Sequence, residues 1–437
     1  MLKAKAQEFL SYLEAPVPGA SLLIFRVLFG AVIVWEMLRY WSYGWIHRYY
    51  IAPEFNFTYY GFSWVKPFNE LGMYLVFSAV GLCGVLVILG ICYRLAMALS
   101  SLGLAYIFLL EKAHYLNHFY MFVVMGLLMT FLPLGRLVES VKPWRIKKVP
   151  RYALVSLTTM VGLVYFFGGL AKVNRDWLAG YPLKIWMPPK FTRWGFGHLD
   201  LESIAHWMSI SGMLIDLCAW PCLLWRRSRP IAVGFLVAFH LMNATIFSIG
   251  IFPWLMMAAL ILFLKPHEWR AGRIFPEGVG LSSDQGVKQR IFISCVLAIL
   301  LVQHLMPLRY IFYQGDVAWT ENGHRFAWRM KLRSKRGRLW FYGVDAETGA
   351  IVNIDHRQRL SSRQVRKMKT RPDMILEYAH YEHQLYRQKT GRELKVYVDS
   401  TVSLNGRPYK QFVNPNIDLA RVDDSFLGAW AFIMPER

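Results

Sequence analysis

Cysteine is scarce in this chain and absent where an exported domain would need it. There are five, Cys83, Cys92, Cys218, Cys222 and Cys295. All are read within apolar helical stretches, and none lies in 309–437, so no disulfide framework supports that region. Cys218 and Cys222 sit one helical turn apart and read as small packing residues. Acid is also scarce, with 28 Asp and Glu against 50 Lys and Arg. The sequence has no Ser-His-Asp signature, no CxxC pair, no phosphate-binding glycine loop, no internal repeat and no low-complexity tract. Dithiol redox chemistry and P-loop nucleotide chemistry are thereby excluded. No cleavable signal is evident either. The first apolar run is too long and lacks a small-residue cleavage site, so it is expected to act as a signal-anchor.

Apolar residues, by contrast, are abundant. They make up 55% of the 437 positions, with 17 tryptophans. Nine apolar runs approach the roughly 20 residues of a bilayer-spanning helix. They cover about 19–38, 73–91, 95–111, 119–135, 152–171, 205–225, 231–250, 252–266 and 290–308. The eighth is short and opens on Phe252-Pro253-Trp254, so it is expected to be tilted or broken. Lys and Arg concentrate in alternate loops: Arg136, Lys142, Arg145, Lys147, Lys148 and Arg151 in one, Arg226, Arg227 and Arg229 in the next, then Lys265, Arg270, Arg273, Lys288 and Arg290. The positive-inside rule makes those loops cytoplasmic. Nine spans then place the N-terminus inside and the chain after about 309 outside. Topology accounts for much of the +22 net charge, and nucleic acid is not implied.

The expected architecture is a membrane helical bundle over 1–308, followed by a β-rich extracytoplasmic domain over 309–437. That second region alternates as a strand does in Leu339–Val344 and Leu394–Asp399, with turn signals at Ala346-Glu347-Thr348-Gly349 and Asn405-Gly406. A polar, helical segment of about 361–390 lies between.

Ionisable groups inside a bilayer mark function by default. Here they are Arg26 and Glu36 in the first helix, Asp216 in the sixth, and His240 with Asn243 in the seventh. Arg26 and Asp216 are read as a pair that fixes helix packing, or as part of a polar cavity. A transporter would share this feature. One edge of the bundle gathers further groups. The third helix runs into Glu111-Lys112-Ala113-His114-Tyr115-Leu116-Asn117-His118, and the fifth delivers Lys172. A lysine at the end of an apolar span either snorkels to the headgroups or loses water and becomes a neutral base. His114 and His118 have the spacing to share a metal with Glu111. The segment reads as a turn with no obvious third ligand, so no metal is expected.

These residues resemble the vitamin K-dependent γ-glutamyl carboxylase family over most of the chain. The similarity is carried by Phe25-Arg26-Val27-Leu28-Phe29-Gly30, Cys92-Tyr93-Arg94, Phe108–Lys112 with Asn117-His118, and Lys172 with Asp176-Trp177 and Gly180-Tyr181. Phe239-His240-Leu241-Met242-Asn243 with Phe247-Ser248-Ile249-Gly250 continues it. So do Gln314-Gly315, Trp319-Thr320, Gly323, Trp328, Met330, Val398-Asp399, Val402-Ser403, Asn405 and Pro415.

The resemblance implies a chemistry and a set of roles. A reduced naphthoquinone (vitamin K hydroquinone, or menaquinol in a bacterial relative) would be deprotonated and oxygenated by O2 to the epoxide. The strong base so formed would take a glutamyl γ-proton, and the carbanion would capture CO2. Lys172 would be the general base, its amine kept neutral by burial with help from a cation such as Arg175. Asn117 and His118 would bind the quinone oxygens, with His118 stabilising an anion. His240 and Asn243 are weaker candidates for the same pocket, and Trp177 would pack at the interface. The partners implied are a glutamate-containing exported protein or peptide, the quinone and the lipid bilayer.

The chain also departs from the family. Its animal members carry a glycine-tyrosine-leucine-asparagine-proline stretch tied to glutamyl binding, where this chain reads Ala350-Ile351-Val352-Asn353-Ile354-Asp355-His356. A quinol epoxidase that carboxylates no peptide is therefore a second expectation, and a non-enzymatic transport or assembly protein a third. The cations Arg363, Arg366, Lys367, Lys369 and Arg371 are read as an attraction for acidic segments or as a solvated helix face.

Overall fold

The structure, a computed structural model, describes residues 1–138, 145–247, 249–265, 276–282, 286–424 and 431–436. Lys142, Ser248, Arg270 and Arg273 lie outside the described residues.

Its N-terminal part is helical: α1 (Leu2–Glu14), α2 (Ala20–Ser42), α3 (Glu70–Leu89), α4 (Tyr93–Leu109), α5 (Asn117–Thr130) and α6 (Arg151–Leu170). Three short helices follow, α7 (Arg175–Leu178), α8 (Leu183–Trp186) and α9 (Pro188–Arg193). After them come α10 (Leu201–Leu224), α11 (Arg229–Ile246), α12 (Phe252–Leu260) and α13 (Val287–Leu305). Each of the nine apolar runs overlaps one of these helices. Among the described residues, however, six segments rather than nine have the length and composition to cross a bilayer: α2, α3, α6, α10, α11 and Val287–Phe312. Shorter apolar helices occupy the other three places, α4, α5 and Phe252–Phe263. Proline accounts for two of the short ones. Pro133 follows the end of α5, and Pro253 opens α12 at a position with no helical N–H to satisfy.

The bundle behaves as a membrane body. Helix α3 buries Met73, Phe77, Val80, Gly84 and Val87 at helical spacing while leaving Leu71, Leu75, Leu82 and Leu89 exposed. A broad apolar surface of this kind requires lipid beside it. At the end of the bundle marked by the basic loops, three short strands form a sheet: β1 (Pro16–Pro18), β2 (Ile146–Pro150) and β3 (Glu277–Leu281). Strand β2 pairs antiparallel with β1 and parallel with β3. Strands so short carry no readable alternation in sequence.

The C-terminal region holds a four-stranded antiparallel sheet of order β5-β4-β6-β7, from β4 (Lys335–Asp345), β5 (Ile351–Ile354), β6 (Leu394–Leu404) and β7 (Lys410–Gln411). The expected single helix over 361–390 is two. After the short α14 (Val317–Thr320) come α15 (Ser362–Met368) and α16 (Pro372–Thr390). The break falls at Arg371, whose backbone is extended at φ −132° and ψ 106°. Proline at 372 disfavours the helical region for the residue before it and opens α16 at its first position, whereas α15, before the break, starts with a Ser361–Gln364 capping box. Met374, Ile375, Tyr378 and Ala379 of α16 pack with Phe341, Val396 and Val398 of the sheet.

The two regions are interlocked. Trp328, fully buried, belongs to the hydrophobic core of the bundle, and Phe57 and Ala113 of the bundle belong to the core of the sheet. Lys112 adds ion pairs to Asp373 (3.0 Å) and Glu377 (2.7 Å), and Arg325 binds Asp373 at 2.7 Å. Glu111 accepts from Gln364 of α15 at 2.7 Å. The Asn56-Phe57-Thr58 triplet, a glycosylation signal in form, has its central residue buried and Thr58 bonded to Glu377.

Candidate active site

The cavity that matters is made possible by two glycines. Gly162 and Gly169 lie two turns apart on α6, and α10 is seated against them. A Cβ on Gly162 would stand 2.2 Å from the Trp220 ring, and one on Gly169 would stand 2.8 Å from the Leu217 nitrogen. Only glycine lets the helices approach this closely. The contact brings Asp216 of α10 to the C-terminal end of α6, where Lys172 follows in the turn.

Lys172 is 8% exposed and Asp216 is 6% exposed. Lys172 Nζ donates to Asp216 Oδ2, with the Gly168 carbonyl at 3.4 Å as a second acceptor. Nζ also lies 5.3 Å from the centre of the Trp177 ring, a cation–π distance. Trp177 is itself fixed, donating through Nε1 to the Ser209 carbonyl at 2.7 Å. Two expectations are corrected here. Arg26 does not pair with Asp216. Its guanidinium binds the carbonyls of Leu134 (2.6 Å), Gly135 (2.7 Å) and Ile88 (3.1 Å); Ile88 is in the last turn of α3, where carbonyls lack intrahelical partners, and Leu134 and Gly135 are in the loop after α5. Nor does Arg175 help Lys172, since it is exposed in α7 and the group against the amine is a carboxylate.

A cavity of about 670 Å³ opens beside this pair, within the roughly 300–1,000 Å³ of small-molecule sites. Asn117, His118, Lys172, His240 and Asn243 all line it, so the five site residues chosen from sequence meet in one place. Asn117 Oδ1 accepts from the Tyr115 hydroxyl at 2.9 Å, which assigns the amide nitrogen as the donor side. His118 is buried at the start of α5 beside Phe252. His240 is buried too, and its Nε2 shares a 2.6 Å hydrogen bond with the Tyr165 hydroxyl. Tyr165 is seven residues before Lys172, on the same face of α6.

Of the other members of this wall, the sequence marks Glu36 and His114 as ionisable groups without placing them in the site, and it gives no sign of Arg39. Glu36 and Arg39 form a 2.6 Å ion pair along it, three apart on α2. His114 lines it with both ring nitrogens buried and without a hydrogen-bond partner. Its ring packs 4.3 Å from that of Tyr49, and burial, Arg363 and Lys367 hold it well below the ordinary histidine value. Glu111 is turned away from both histidines, accepting from Phe57 N, Ala113 N and Gln364. The described residues contain no group of three or more metal-ligating side chains.

The mouth of the cavity belongs to the C-terminal region. Glu321 is buried there and receives Arg333 in a two-point contact, with Lys335 Nζ at 3.2 Å and Arg371 Nη1 at 3.6 Å. Burial opposes its charge, but Arg333, Lys335 and Arg371 together hold Glu321 well below the carboxylate range. None of residues 350–356 lines the cavity.

The site can therefore accept a flat, largely apolar ring between Trp177, Phe252 and Met256, with amide and imidazole donors at its edge. The Lys172–Asp216 ion pair stands beside it. Comparison with known families places both regions of the chain. Residues 14–269 match the HTTM domain, and residues 288–437 match the vitamin K-dependent gamma-carboxylase lumenal domain. No solved structure matches the chain.

Proposed function

Because the chain belongs to the vitamin K-dependent gamma-carboxylase family, we propose that it is a membrane enzyme coupling oxygenation of a reduced naphthoquinone to γ-carboxylation of glutamate in an exported protein. In this reading residues 1–308 form the catalytic membrane domain, with nine crossings and a cytoplasmic N-terminus. Residues 309–437 form a substrate-binding domain on the other side. The observation that carries the proposal is the buried Lys172–Asp216 pair facing a cavity shared with Asn117 and His118.

Bound vitamin K hydroquinone or menaquinol, with O2, supplies the strong base that a glutamyl γ-proton requires. The chain's own residues do the rest. Lys172 Nζ and Asp216 Oδ2 hold one proton between them, so the pair is neutral overall and easier to bury than a lone ammonium. With that proton on Asp216, Nζ carries a free lone pair and serves as the proton acceptor of the site. A second proton then turns the pair into a cation, placed to stabilise an anion in the cavity. The Asn117 amide and the His118 ring orient ring oxygens, and His240, Asn243 and the aromatic wall complete the pocket. Trp177 and Phe252 keep water away, which protects a reactive base from quenching. The altered stretch at 350–356 stands clear of the cavity, which favours retained carboxylation over epoxidation alone.

Purified protein in lipid, given reduced naphthoquinone, labelled bicarbonate and a glutamate-rich peptide, tests this. Epoxide and peptide-bound label are expected from the native enzyme and neither from Lys172→Ala. No epoxide from the native enzyme, or equal epoxide from the variant, removes the proposal. Epoxide with no label in any peptide selects the epoxidase reading.

A further inference from the structure

The mouth of the cavity carries more positive charge than its carboxylate can balance. Glu321 binds Arg333 and Lys335, and Arg371 Nη1 stands 3.6 Å from it in an ion pair that makes no hydrogen bond. Around them Arg329, Lys331, Arg363, Arg366 and Lys367 also line the mouth. Among the described residues, none of these five has a carboxylate within salt-bridge distance. Arg371 adds a sharper signal. It is 8% exposed, it lines the cavity, and its Nη1 makes no hydrogen bond. Leaving a buried guanidinium N–H unpaired is costly, so such a group is normally aimed at an anion. The extended backbone at Arg371, imposed by Pro372, turns this side chain out of the helix run and towards Glu321.

Two further groups report the same crowding. Burial, with Arg371, Arg363, Arg333 and Arg366 around it, pulls the Lys367 amine down to about 7. Burial also pulls Lys335 down to about 8 despite its contact with Glu321. Neighbouring His324 and His114 add no further positive charge, since burial and the cations around them hold both well below their ordinary values. Glu321 is the anion facing this cluster, and it is already engaged.

We propose that this mouth is a binding site for a geminal dicarboxylate, the malonyl-type group that carboxylation of a glutamate side chain creates, held between Arg371 and the α15 cations Arg363 and Lys367. The inference rests on the carboxylase reading, which supplies the ligand class. Two charges on one carbon match an uncompensated cluster better than a single carboxylate does, because the attraction scales with charge. Such a site draws the finished side chain out of the reactive chamber and keeps the peptide in place while the next glutamate enters. It also couples binding to protonation. The dianion favours the ammonium form of Lys367, so near and above neutral pH the complex takes up a proton, and affinity falls as pH rises.

Calorimetry on the full-length protein in phosphatidylcholine nanodiscs tests this without turnover. At fixed ionic strength, malonate is expected to bind at least about tenfold more tightly than propionate. Arg371→Gln and Lys367→Gln should each weaken malonate by about tenfold or more. Titration at pH 7.5 in buffers of different ionisation enthalpy should show proton uptake in the native protein and none in Lys367→Gln. Equal binding of malonate and propionate overturns the proposal, as does sulfate binding as tightly as malonate. Native-protein binding without proton uptake overturns it even if a variant fails to fold. Lys172→Ala should bind malonate normally. Malonate binding to a native protein that forms no epoxide would defeat the carboxylase reading and leave the anion site standing.

Discussion

The two ends of one cavity treat charge in opposite ways. At the membrane end, among the described residues, the charged groups lining the cavity are matched: Lys172 by Asp216 and Arg39 by Glu36. At the outer end, Glu321 is outnumbered by the arginines and lysines around it. A matched pair can be buried in a low-dielectric bundle because it is neutral overall. An unmatched cluster is tolerable only near water or opposite an anion that arrives from outside. In the proposed function, the contrast separates a place where protons move from a place where acidic groups are received.

Breaking the matched end has the largest expected effect. Asp216→Asn leaves Lys172 without the carboxyl that holds its proton. The rate of epoxide formation should fall about 10²-fold or more, with the KM for hydroquinone little changed. Asp216→Glu should restore part of the rate and move its pH profile, which a merely structural role would not do. An Asp216→Asn enzyme with native kcat would show that the pair plays no part in proton transfer.

Next in size is the helix contact that assembles the pair. Gly169→Leu forces side-chain atoms against the Leu217 backbone, and should destabilise the protein by about 1–3 kcal/mol while lowering kcat further than Gly169→Ala. Thermal melting alongside epoxide rates checks this; a native melting temperature in Gly169→Leu would show that α6 and α10 can separate freely.

The unmatched end predicts a different kinetic pattern. Arg366→Glu should raise peptide KM by roughly 5- to 20-fold with a smaller change in kcat, and high salt should reduce the difference. An unaltered KM would make these cations a solvated face. The same end has a pH signature in the unliganded protein. Lys367 sits at about 7 when folded against ~10.4 when unfolded. Over that interval the unfolded chain binds more protons. Stability should therefore rise with pH from about 7 towards 10, and the penalty is complete below 7. Denaturant melts across that range should show the slope in the native protein and a flatter one in Lys367→Gln. The smallest effect belongs to Tyr165→Phe, which removes the hydrogen bond to His240 and should cost only a few-fold in rate. A loss as large as that of Asp216→Asn would move His240 into the proton path.

Much of this was legible in advance because apolar run length and helical spacing are local properties. The nine runs, the polar turn at 111–118 and the site residues Asn117, His118, Lys172, His240 and Asn243 follow from them and from a resemblance anchored on motifs. The strand turns at Gly349 and at Asn405-Gly406 were likewise readable, and both have the positive φ such turns use. Helix length was less legible, since α5 and α12 are cut short by prolines whose effect depends on where each helix begins. The Arg371 break is the same effect, hidden inside a segment whose composition is helical throughout.

Sequence alone determined that this chain makes apolar helices with a strand-bearing C-terminal region, and which polar groups stand near one end of the bundle. Only the tertiary structure decided the partners. Asp216 joins Lys172 rather than Arg26 because two glycines let α10 press onto α6, and the carbonyls of Ile88, Leu134 and Gly135 claim the arginine. The cationic mouth exists because 321–335 and 363–371, remote from the membrane helices along the chain, fold over the cavity. Pairing across such distances is set by packing, which no local pattern encodes.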